Sequence, residues 1–176
     1  MSRILVVLLV ITLAASSAEA QRPNTREGFW ASFGFGAGSA KLGGDFDTDR
    51  ETSLSGYLRL GGTISPNVLI GGESNGWVKS STSTTTLGFL GAVALFYPSS
   101  TGSFYLKGGL GLVSVDYQGT GSGFGASVGL GNEFRVGESF SLNLFLNAIQ
   151  GFGITTDRGT DVKPAWLQLG LGVAWH

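Results

Sequence analysis

The chain has 176 residues, enough for one domain, with 13% charged residues, 30 glycines and no cysteine. A formal net charge of −1 leaves no basic field for nucleic acid, and the missing cysteines exclude disulfides, thiol catalysis and cysteine metal sites together. Glycine lacks the Gly-X-Y period of collagen and is too frequent for turns alone, so much of it must lie inside strands.

Residues 1–20 read as a cleaved signal peptide. Arg3 supplies the positive start, Ile4 to Ala15 an apolar run, and Ala18-Glu19-Ala20 an A-x-A cleavage site. The run is shorter than the ~20 residues a membrane-spanning helix needs. The mature chain is then expected to begin at Gln21, with residues 21–27 as a polar periplasmic lead-in and residues 28–176 as the folded domain.

From residue 28 onward, bulky apolar residues alternate with small or polar ones, the period of two that marks strands. A strand over 28–40 sets Phe29, Ala31, Phe33, Phe35 and Ala37 against Trp30, Ser32, Gly34, Gly36 and Gly38. Residues 41–51 form a charged loop. The next strand, 52–64, sets Leu54, Leu58, Leu60 and Ile64 against Tyr57, Arg59, Gly61 and Thr63. Ser65-Pro66-Asn67 is a tight turn, because proline fixes φ and asparagine tolerates the left-handed region. Strand 68–79 has a weaker apolar face, Val68, Ile70 and Val78, opposite Glu73, Asn75 and Trp77.

After a short polar loop, strand 85–97 aligns Leu87, Phe89, Val93, Leu95 and Tyr97 as its apolar face, and 98–102 turns the chain. Strand 103–117 sets Phe104, Leu106, Leu110 and Leu112 against Tyr105, Lys107, Gly109 and Gly111, and 118–122 is a glycine-rich loop. Strand 123–136 sets Phe124, Ala126, Val128, Leu130, Phe134 and Val136 against residues that include Glu133 and Arg135. Gly137-Glu138 makes the next turn. Strand 139–151 sets Phe140, Leu142, Leu144 and Leu146 against Ser141, Asn143, Phe145 and Asn147, followed by a long loop over 152–164. The final strand, 165–176, carries Leu167, Leu169, Leu171, Val173 and Trp175 on one face.

Eight strands of roughly 10–13 residues suffice to cross a bilayer at a tilt. Tight turns follow the even strands and longer polar loops the odd ones, and an even strand count returns both chain ends to one side, the periplasmic side. The fold expected is therefore all-β: an eight-stranded antiparallel up-and-down transmembrane β-barrel. Its glycine, serine and asparagine face suits a narrow lumen holding Trp30, Tyr57, Trp77, Tyr105, Phe145 and Trp166. Phe29, Tyr97, Phe104, Phe134, Phe140 and Trp175 are expected to form an interfacial girdle at the short turns. The competing arrangement, with the apolar face inward, is a soluble secreted lipocalin-like barrel.

This pattern resembles the small eight-stranded outer-membrane β-barrel proteins, the family of the OmpX and OmpA barrels, over nearly all of the mature chain. The most specific part is Leu167-x-Leu169-x-Leu171-x-Val173-x-Trp175. In that family the last strand is a signal read by the barrel-assembly machinery, and it usually ends on the aromatic; here His176 follows Trp175. The resemblance implies a bacterial outer-membrane location and a monomer. The partners it implies are outer-membrane lipid, lipopolysaccharide and the assembly machinery. External ligands would meet loops 41–51 and 152–164.

No chemistry-bearing motif survives inspection. Asp45, Asp47 and Asp49 have calcium-loop spacing, but Arg50 and Gly56 occupy the positions that need glycine and glutamate. The glycine strings have no following helix pattern and read as strand glycines. The single histidine, His176, lies at the chain end, away from where a lipid-modifying enzyme of the outer leaflet would need it. No enzyme activity, cofactor or metal is expected. The lumen face, however, carries Arg59, Glu73, Lys107 and Glu133. Arg59 and Glu73 are equally spaced about Pro66, and Lys107 and Glu133 about Thr120, so each pair is expected to meet across a hairpin. Unpaired charge there would cost several kcal/mol. At eight strands, side chains just fill a barrel. The expected role is a filled structural or surface-interaction barrel, and the alternative is a narrow channel or carrier for a small solute.

Overall fold

A computed structural model describes residues 26–45, 48–80 and 84–176. The expected signal peptide and residues 21–25 of the lead-in lie outside the described residues. The strands are β1 (Phe29–Gly44), β2 (Glu51–Ser65), β3 (Val68–Ser80), β4 (Thr84–Phe96), β5 (Phe104–Asp116), β6 (Thr120–Arg135), β7 (Phe140–Phe152), β8 (Ile154–Thr155) and β9 (Asp161–Trp175). Neighbours in sequence pair antiparallel from β1 to β7, β7 pairs with β9, and β9 closes on β1. The two-residue β8 is a spur on β9. Eight long strands thus make a closed barrel with no free edge.

The alternation fixes what each face meets. On β9, Leu171 is 67% exposed while Trp166 is 1% exposed. Phe33, Phe35, Leu58, Leu110, Val128 and Leu169 likewise stand outward on their strands. A continuous apolar exterior around a polar and aromatic interior is the reverse of a soluble ligand-carrying barrel. The wall also has to bend sharply. Gly61 faces Gly71 across β2 and β3, and Gly91 faces Gly111 across β4 and β5. A Cβ on Gly61 would run into the Ile70 carbonyl oxygen, and one on Gly91 into that of Leu110, so glycine permits the close approach that turns these corners.

Three expectations need correction. Leu87, Phe89, Val93, Leu95 and Tyr97 point into the lumen, not outward. Leu90 and Phe96 take the lipid side of β4, so the exposed aromatic near this turn is Phe96 and not Tyr97. Both faces of β4 are apolar, and the larger side chains go where they fill the interior beside the glycines of neighbouring strands. Second, β1 and β9 run further than expected, because they stay paired as far as Gly44 and Val162. Third, residues 120–122 belong to β6, leaving only 117–119 as the β5–β6 connection, while the β4–β5 connection spans 97–103. The contrast between short turns and long loops is therefore weaker than the sequence suggests.

Apolar side chains pack the lumen towards both ends. Trp77, Leu87, Phe89, Val113, Val115, Ile149 and Trp166 gather towards the end carrying the β7–β9 connection, which we call the far end. Trp30, Leu69, Leu95 and Tyr97 gather near the end where the described chain, from Arg26 to His176, starts and finishes. Between them lies a polar layer.

Candidate functional site

Period-two alternation delivers every second residue of each strand to the lumen, and at mid-height those residues are charged or amides. Arg59 on β2 and Glu73 on β3 are direct cross-strand partners. Arg59 Nε donates to Glu73 Oε2 at 2.6 Å, with both side chains fully buried. Lys107 on β5 reaches across the lumen and donates to both Glu73 oxygens at 2.7 Å. One carboxylate therefore serves two cations, and the layer carries a formal charge of +1.

Neutral acceptors meet the excess. Arg59 donates to Asn147 Oδ1 at 3.2 Å and to the Tyr105 hydroxyl at 3.4 Å, and its guanidinium lies 3.8 Å from the centroid of the Tyr57 ring. Such a cation over an aromatic face gains from the ring quadrupole. Asn75 donates to Glu73 at 3.1 Å and to Gln168 at 2.8 Å. Gln168 donates back to Asn75 at 2.7 Å and also to Ser55 Oγ. Asn143 donates to the hydroxyls of Tyr57 at 2.8 Å and Tyr105 at 3.0 Å, and Ser32 lies 3.0 Å from the Tyr57 hydroxyl. These bonds tie β1, β2, β3, β5, β7 and β9 together across the lumen. A buried polar network of this kind is stabilising only when its members satisfy one another.

Glu133 belongs to a second cluster. The expected Lys107–Glu133 pair does not form. The β5–β6 hairpin is centred on Gln118, not on Thr120, so Asp116 faces Thr120 and Lys107 faces Gly129. The three-residue turn is possible because Gln118 adopts a left-handed φ of 50° and Gly119 a φ of 150°. Glu133 instead accepts from the Tyr97 hydroxyl at 2.9 Å and lies 3.1 Å from His176 Nε2. Arg26 comes within 3.8 Å of it, stacks 3.4 Å above the Tyr97 ring, and donates to the carbonyls of Ser100 at 3.1 Å and Gly102 at 2.6 Å. Both ends of the described chain thus converge on one carboxylate and cover that mouth.

The sequence placed Tyr57, Asn75, Tyr105, Asn143 and Asn147 on the lumen face without joining them to the ions, and Gln168 shares the face of Trp166. Their shared parity with Arg59, Glu73 and Lys107 was the available signal. Arg26 carried none, since it lies outside the periodic stretches, whereas His176 continues the alternate positions of Trp166 and Gln168 without any local spacing that joins it to Glu133. Leu167, Leu169, Leu171, Val173 and Trp175 all sit on the outward side of β9, with Val173 half-buried. At mid-height, side chains bonded to one another cross the lumen from wall to wall.

A family model described as the outer membrane protein beta-barrel domain matches residues 6–175. No curated protein matches the sequence. Among solved structures, Neisserial surface protein A is similar at a TM-score of 0.63 and 18% identity, covering 86% of this chain and 99% of that one. Ail, the attachment invasion locus protein of Yersinia pestis, is similar at 0.57 and 15%, covering 85% and 99%. The N-terminal β-barrel domain of Pseudomonas aeruginosa OprF is similar at 0.52 and 17%, covering 86% and 98%. At these identities the likenesses establish the fold.

Proposed function

The chain belongs to the outer membrane protein beta-barrel domain family, and from that premise we propose that this integral outer-membrane barrel is a stoppered structural protein whose far end meets the outside of the cell. The observation that carries this reading is the Arg59–Glu73–Lys107 layer, which joins side chains across the lumen at 2.6–2.7 Å. An eight-stranded barrel has room inside for side chains and little else. Arg26 and His176, the ends of the described chain, lie on the same side, which we assign to the periplasm. The β1–β2 and β7–β9 connections, within 41–51 and 152–164, then face outward and are where external ligands would bind. Lipid, lipopolysaccharide and the assembly machinery, which would read Leu167 to Trp175, are its remaining partners, and it works as a monomer without catalysis.

Planar-bilayer recording tests the stopper. Purified protein is expected to add no steady conductance above the bare membrane. A stable ohmic conductance in the parent protein would replace this reading with a narrow solute channel.

The targeting segment has its own test. The intact mass of protein extracted from outer membranes is expected to correspond to a chain starting at Gln21, after cleavage at Ala20. Recovery with residues 1–20 attached, or in the soluble periplasmic fraction, would contradict the assignment.

A further inference from the structure

On the lipid-facing side of β6, β7 and β9 a groove of about 340 Å³ opens towards the far end of the barrel. Ala126, Ala148 and Ala165 form its floor, and Val128 and Leu167 rise as its walls. Arg50 and Gln150 are the polar side chains on it. The register explains the depression. Val128, Ala148 and Leu167 lie side by side on successive strands, and the next row is Ala126, Gln150 and Ala165. Small residues here lower the surface between Val128 and Leu167.

Charge completes the groove. Arg50 leaves the β1–β2 connection and lays its side chain over the outer face of β1, where Nη1 donates to the Ser39 carbonyl at 3.1 Å. Among the described residues that is the only partner of its guanidinium, so the other N–H groups remain available. Lys41 on β1 is opposite Ala165, and Lys163 lies one outward position further along β9, opposite Gly43. Of the acids near this face, Asp161 lies 3.9 Å from Lys163, and Asp45 accepts from the Asp161 amide at 2.9 Å. The cations sit where the outward residues change from apolar to polar, the level of the membrane interface.

We propose that this groove is a lipid site, holding one acyl chain of a phosphorylated lipid from the adjoining leaflet, with the phosphate on Arg50 beside Lys41. A hydrocarbon chain matches the alanine floor, and a guanidinium with free N–H groups matches phosphate oxygens in a paired geometry. Only a lipid with both parts spans floor and cation together. The assignment to the outer leaflet, and so to a phosphorylated glycolipid, rests on the orientation given above.

The test uses the full mature chain in phosphatidylcholine nanodiscs. Diphosphoryl lipid A is added, and retained lipid is counted by native mass spectrometry. The parent is expected to retain lipid A at least about tenfold over added phosphatidylcholine, as loss of a charged hydrogen bond would predict. Arg50→Gln and, separately, Ala148→Trp should each remove about a tenfold share of that preference. Arg158→Gln, on the far-end loop, should not. An equal concentration of inorganic phosphate should not displace the lipid, because it lacks the chain. Equal retention of lipid A and phosphatidylcholine, or Arg50→Gln and Ala148→Trp both behaving as parent, overturns the site. Displacement by phosphate alone also overturns it. Should Ala148→Trp fail to insert, Ala165→Leu fills the same floor. Failure of the barrel reading itself would look different: the parent would not float with lipid vesicles.

Discussion

Glu73→Ala is expected to destabilise the folded barrel by about 3–5 kcal/mol, the cost of leaving buried charge without its partner. The effect is larger than for an ordinary pair because Arg59 and Lys107 both depend on this one carboxylate, at 2.6 and 2.7 Å. Urea unfolding in lipid vesicles measures it. Lys107→Met should cost much less, since Arg59 still holds Glu73 and one buried cation has gone. Coupling energies separate the two registers. Lys107 and Glu73 should show strong non-additivity in a double-mutant cycle, whereas Lys107 and Glu133 should be additive. A Glu73→Ala barrel as stable as its parent would mean that water, and not the opposing cations, satisfies this carboxylate.

Leu144→Arg is expected to cost roughly 2–4 kcal/mol, the penalty for a cation on the lipid face near the bilayer midplane. Leu144 lies in the middle of β7, with Asn132 and Leu171 as its cross-strand neighbours. Its sequence neighbour Asn143 points the other way and donates to Tyr57 and Tyr105. Asn143→Arg therefore fails by another route, adding a third cation to a layer that already has one in excess and displacing two tyrosine hydroxyls. The distinguishing measurement is depth dependence. Moving the arginine along the outward face of β7 towards Phe140 should reduce the penalty steadily, while the inward series should follow the positions of Glu73 and Glu133 instead. A silent Leu144→Arg beside a non-folding Asn143→Arg would reverse the assignment of inside and outside.

Period-two alternation made most of this legible, because one face of most strands is bulky and the other small or polar. It misled on β4, where Leu87, Phe89, Val93 and Leu95 alternate with Leu90, Ala92, Ala94 and Phe96. Alternation there says strand without saying which side is wet. Direction on such a strand comes from its neighbours: Glu73 faces Gly91, so the parity of Gly91 is the lumen's. The Arg59–Glu73 register was readable because Pro66 and Asn67 specify one tight turn. The stretch from Gln118 to Gly123 offers glycine at every second position, so several hairpin centres look equally good, and only packing selects Gln118. Long-range partners such as Lys107 with Glu73 cross the barrel interior, a relation that local spacing does not encode.

The ladder joining β1 to β9 runs from Ala31↔Trp175 to Gly44↔Val162, and its first partners are 144 residues apart in the chain. That span has a meaning in time. β1 owns half of a ladder that only β9 completes. Until β9 is in place, the rim of β1 is an unanswered row of amides and carbonyls, open to any extended segment. Closure is thus a single late event with no partial credit, and a chain shortened by its final strand would leave β1 waiting indefinitely.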